Sequence, residues 1–173
     1  MERKNHTATI AYTALFSALC FLANSLSALY PTISISLVVA ITFVSAFFLH
    51  PMLAFTVGGV GDFLAAIIFP RGAFNPIITL SSALWGLIMG LCYRHLKFNK
   101  TVNIIIGAAI GYLVCSFFLT SAGIWLYVSS LQAKYSMFTF ILSRATVQLP
   151  NAIINTAIAI LLEIAFRKRN ILK

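Results

Sequence analysis

What this 173-residue chain lacks narrows its function before any motif is read. It has only 3 acids against 12 lysines and arginines, and charged residues make up 9% of it. So little charge beside 61% hydrophobic residues excludes a soluble domain. Cys20, Cys92 and Cys115 form neither a CxxC nor any metal spacing, so they read as small core or lipid-facing residues without a disulfide framework. His6, His50 and His95 fall in the tail and loops, with no acid or cysteine at ligand spacing. No metal and no cofactor is expected. GxxxxGK[ST], GxSxG and HExxH are missing, as is any nucleophile–base–acid set. The chain therefore cannot hydrolyse ATP itself and is not expected to be an enzyme.

What is present is apolar length. The mean hydropathy is +0.98, and the chain has room for about six spans of roughly 20 residues. The expectation is an all-α integral membrane protein, a compact bundle of six transmembrane helices forming one domain over residues 1–173. The spans are expected at about Ala8–Ala28, Ile33–Leu49, Met52–Phe69, Pro76–Tyr93, Val102–Val128 and Phe138–Phe166. The basic start and first apolar run have the outline of a signal peptide, with Ala23-Asn24-Ser25 as a cleavage site. The run is too long for a typical signal core and keeps the span count even, so it reads as the first span.

A net charge of +9 suggests nucleic acid, but its distribution argues against that partner. On a six-span layout one side collects Arg3, Lys4, Arg94, Lys97, Lys100, Arg167, Lys168, Arg169 and Lys173. The other keeps only Arg71, Lys134 and Arg144. By the positive-inside rule both termini are cytoplasmic, and the partner of the surface is a lipid bilayer.

Polar groups inside the spans are the candidate chemistry. Asp62 sits in the third span beside Gly58, Gly59 and Gly61, and Arg71 lies in the following turn. Charges there face a protein interior or a watery cavity. Asp62 is open to three readings: an ion pair with Arg71 or Arg144, a proton relay, or a ligand contact. The relay is disfavoured because no second mid-membrane acid accompanies it. Glu163 is expected to form a surface ion pair with Arg167, one turn on. Asn75, Thr79, Ser82 and Gly86 share one helical face, and Arg144, Gln148, Asn151 and Asn155 share another beside a kink expected at Pro150. Amides often only glue membrane helices, which is favoured for Asn155, whereas Arg144 needs an anionic partner or water. Trp125, Tyr127, Phe74, Phe69, Tyr30 and Tyr135 fall near the outer boundary, where most read as an interfacial belt and Trp125 as a stacking platform. The binding residues expected are thus Asp62, Arg71, Asn75, Trp125, Arg144, Gln148 and Asn151. Ala14 with Ala18, and Gly107 with Gly111, have the small-xxx-small spacing of close helix contacts. A single outer polar cluster on short spans reads as a binding protein, neither an enzyme nor an inverted-repeat transporter.

One stretch carries a family resemblance. Gly58, Gly61 and Asp62, then Phe69, Pro70, Gly72 and Pro76, then Thr79, Leu80, Ser81, Leu84, Gly86, Leu87, Ile88 and Gly90, follow GxxGD, FPxGxxxP and a TLS-x-x-L-x-GLI-x-G run. This pattern resembles the folate-family substrate-binding (S) components of energy-coupling-factor (ECF) vitamin transporters. Trp125, Tyr135, Arg144 and Pro150 have a similar spacing to that family's last two spans. Asn24 stands where members often carry an arginine, and Arg71 where they usually carry a small or hydroxyl residue. The resemblance implies a six-helix protein of a prokaryotic plasma membrane that binds a vitamin, folate or a related pterin, in an outward cavity. It further implies docking through Ala14 and Ala18 on a transmembrane coupling subunit driven by two cytoplasmic ATPase subunits. Open alternatives are another small vitamin or precursor, such as hydroxymethylpyrimidine or pantothenate, and a membrane scaffold whose polar stripes only pack helices.

Overall fold

Proline and asparagine decide where the central hairpin begins and turns. A computed structural model describes residues 2–29, 36–70 and 72–169. Its helices are α1 (Glu2–Leu29), α2 (Val38–Phe48), α3 (Pro51–Ile68), α4 (Pro76–His95), α5 (Lys100–Tyr127), the short α6 (Ser129–Lys134) and α7 (Met137–Lys168). Pro51 and Pro76 each open a helix at its first turn, where the missing N–H costs nothing. Asn75 caps α4 by accepting from the Ile77 amide at 3.1 Å. Between α3 and α4 the chain turns through Gly72, whose φ of 147° lies in the region that favours glycine.

Five helices (α1, α3, α4, α5 and α7) are long and apolar enough to cross a membrane. The second expected span is only partly seen: its helix starts at Val38, and residues 33–35 lie outside the described residues. At about 1.5 Å per residue, this 11-residue helix is by itself shorter than a bilayer's hydrocarbon core, yet its segment carries the chain back between α1 and α3, which run parallel with Asn24 of one beside Asp62 of the other. It is also the centre of the core. Phe43, Ala46, Thr42 and Ser45 are buried, and α2 touches α1, α3, α4 and α7. Its uniformly apolar sequence fits a helix with neighbours on every side.

Small residues let the other helices close on this core. A Cβ on Gly58 would strike the Ser82 carbonyl, one on Gly86 the Ala54 carbonyl, and one on Gly90 the Pro51 Cα. These contacts run antiparallel down the α3–α4 pair. Gly61 faces Cys20 and the Ser17 carbonyl of α1, and Gly111 of α5 lies against the Trp85 indole. The Gly107–Gly111 pair is thus a contact of α5 with α4. α5 has a π-helical middle, Tyr112–Thr120. There the Ser81 hydroxyl of α4 donates to the Cys115 carbonyl at 2.8 Å, and Ser121 bonds back to the Ser116 carbonyl.

At the end of the bundle that holds the basic loop, cations satisfy helix-terminal carbonyls. Arg94 donates to the Leu49 carbonyl, and Lys100 to the Tyr93 carbonyl while lying over the Tyr93 ring. Glu163 does pair with Arg167, but not as a surface pair: Glu163 is 2% exposed and Arg167 53% exposed. The acid faces inward on α7, and the long arginine reaches back to it from the rim. α7 stays helical through Pro150.

Candidate functional site at the far end of the bundle

The ends of four helices meet opposite the basic loop and enclose a cavity of about 410 Å³. That lies within the range of small-molecule sites, about 300–1,000 Å³. Asn24 from α1, Asp62, Ala65 and Ala66 from α3, and Asn75 and Ile78 from α4 line it. Phe69, Ala73 and Phe74 of the turn close one side, and Ile124, Tyr127 and Val128 the other. The wall rings are braced from behind, Phe74 edge-on by Phe63 at 5.6 Å and Phe69 by Phe21 at 6.2 Å.

Asp62 is the polar centre. One carboxylate oxygen accepts from the Asn24 amide at 3.1 Å, and the other from the Thr79 hydroxyl at 2.8 Å. Among the described residues the ion pair is that of Glu163 with Arg167, so Asp62 is not bridged to Arg144. Thr79 is one helical turn after Asn75, so the α4 polar face points at the acid. Asn75 is buried with both ends of its amide used: it caps α4 and donates to the Gly123 carbonyl at 2.9 Å. It joins the α4 start to the α5 segment that carries Ile124 and Tyr127.

The structure gathers only part of the expected set here. Asp62 and Asn75 line the cavity, and Arg71 lies outside the described residues. Trp125 is not on the wall; its indole N–H donates to the Tyr135 carbonyl at 3.0 Å. The α7 stripe lies elsewhere. Asn155 accepts from the Ala40 amide at 3.0 Å and Asn151 from the Ser36 amide at 3.2 Å. Those amides sit at the start of α2, which has no side-chain cap of its own, so the stripe supplies acceptors that the helix start needs. Gln148 reaches the Ser121 hydroxyl at 3.4 Å, and its amide oxygen is buried without a partner among the described residues. The Arg144 Nε is likewise buried and unpartnered there, with the guanidinium 5.8 Å from the Phe140 ring centre.

Asn24, Ala65 and Ala66 were not among the expected binding residues, and Phe69, Phe74 and Tyr127 read as interfacial belt. Two signals were available for Asn24: it is a carboxamide near the C-terminal end of the first span, and it stands where the resembled family often carries an arginine.

The family model described as "ECF-type riboflavin transporter, S component" matches residues 4–168. The chain belongs to that family. A curated relative, "Folate transporter FolT" of Clostridium novyi (strain NT), is 32% identical over 101 residues, 58% of this chain. The match spans 56% of that relative's length. Family and relative thus carry two different vitamins in their descriptions.

Proposed function

We propose that the protein is the substrate-binding subunit of a vitamin uptake system and that its ligand is folate or a related pterin. The observation that carries the proposal is the cavity itself: aromatic walls around a single anchored carboxylate, at the end of the bundle away from the cation-rich loop. The pterin choice draws on the folate relative. On this reading the subunit is not an enzyme. It spans the plasma membrane of a prokaryote with both termini cytoplasmic and with the cavity facing out. Transport then requires a transmembrane coupling subunit and two cytoplasmic ATPase subunits. Ala14 and Ala18 are the contact with the first; both are exposed on α1, among the equally exposed Ile10, Leu15 and Leu22. The family description favours a second reading, in which the ligand is riboflavin.

The experiment is to purify the full chain and identify the co-bound small molecule by mass spectrometry, then titrate the emptied protein with folate and riboflavin. A pterin in both assays supports the first reading, and a flavin the second. A different co-bound vitamin or precursor would overturn the pterin reading and keep the substrate-binding one, whereas no bound molecule in either assay would favour a helix-packing scaffold. Orientation is tested by cysteine labelling in a background lacking Cys20, Cys92 and Cys115. A cysteine replacing Gln132 or Lys134 should label from outside, and one replacing Lys97 only after permeabilisation.

A further inference from the structure

We propose that Asn24, Asp62 and Thr79 form a ring-edge reader that admits heterocycles with an amino group beside a ring N–H and rejects those with a carbonyl in its place. The inference rests on the vitamin-binding reading and concerns what the same cavity selects. A carboxylate offers about four lone-pair positions. Asn24 takes one on Oδ1 and Thr79 one on Oδ2, so each oxygen keeps an acceptor position for a ligand. Two acceptors on one planar group match two parallel N–H donors. The 2-amino-4-oxo ring of a pterin presents such a pair. The imide edge of a flavin or lumazine presents one N–H between two carbonyls, and a carbonyl set against a carboxylate is repelled.

The two anchoring donors arrive from different helices, α1 and α4, with α3 between them. That arrangement holds the carboxylate plane against rotation, so the ligand meets an oriented group. It depends on Gly61: beside the acid, α3 lies so close to α1 that a Cβ there would press on Cys20 and the Ser17 carbonyl. Both anchors are neutral, so they orient the charge without cancelling it. The ligand's donors then form charge-assisted bonds. Asn24 and Thr79 are positioning residues on this account, and Asp62 is the reader.

The test uses the full chain in lipid nanodiscs and two fluorescent ligands that differ only in the 2-amino group and its oxo replacement, 6-hydroxymethylpterin and 6-hydroxymethyllumazine. The wild-type protein is expected to prefer the pterin by about tenfold or more, since a buried acceptor loses its donor in the other ligand. Asp62→Asn replaces two acceptors by one acceptor and one donor, and should level or invert that preference. Asn24→Leu keeps the carboxylate but frees it, so the ratio should shrink while the protein stays folded. A purely structural role for Asn24 would weaken both ligands alike and leave the ratio intact. Equal wild-type affinities overturn the proposal without any variant, and so does an Asp62→Asn protein that keeps the wild-type ratio. In both cases the pterin-binding reading stands. If the wild type binds neither ligand, that reading falls and the ring-edge reader with it.

Discussion

Replacing Asn75 separates a structural tether from a ligand contact, because both ends of its side chain have identified partners. Asn75→Ala removes the cap on the Ile77 amide and the bond to the Gly123 carbonyl. Loss of an N-cap typically costs about 1 kcal/mol. A buried backbone carbonyl deprived of its donor adds about 1 kcal/mol more. The expected destabilisation is therefore about 2 kcal/mol. Asn75→Ser divides the two: its hydroxyl keeps an N-cap acceptor for Ile77, but it is too short to donate to Gly123. Its loss should be about 1 kcal/mol, from the second bond alone. Equilibrium unfolding in mixed micelles reads both numbers, and ligand titration reads the consequence for the cavity. Gly123 directly precedes Ile124 on the cavity wall, so affinity should fall in both variants, further in Asn75→Ala. If both unfold within about 0.5 kcal/mol of wild type, the tether contributes nothing and the reasoning fails. If Asn75→Ala abolishes binding at unchanged stability, Asn75 contacts the ligand directly.

Gly86→Leu should cost more than about 2 kcal/mol or leave no monodisperse protein after detergent extraction, because its Cβ meets the Ala54 carbonyl, a backbone atom that cannot step aside. Gly59→Ala, which would meet only the Ala83 methyl at 3.3 Å, should be close to neutral in the same assay. Leucine at Ala14 or Ala18 should abolish uptake in cells while ligand binding by the purified protein stays near wild type. Loss of binding would place those alanines in the protein's own packing. Arg144→Met should leave stability unchanged or raised, since it removes a buried guanidinium nitrogen without a partner among the described residues; a loss above about 1 kcal/mol in unfolding would reveal a paired arginine.

Composition alone determined that this is a multi-pass helical membrane protein, because 61% hydrophobic residues with three acids cannot make a soluble surface. Local sequence also set the starts of α3 and α4, through Pro51, Pro76 and Asn75, and marked Gly107 and Gly111 as a contact pair. Asp62 was legible as a cavity acid because a charge in a span needs either water or a partner. Periodicity groups residues on one face of a helix but does not say which neighbour that face meets. In a membrane the ambiguity is wider, since lipid and protein interior are equally apolar. Only the tertiary structure decided that Asn151 and Asn155 serve the start of α2, that Glu163 turns inward, and that Asn24 of α1 reaches Asp62. Each of those outcomes depends on how one helix is rotated against another. That rotation is set by contacts between residues far apart in the chain, such as Gly61 against Cys20, rather than by the stripe on either helix.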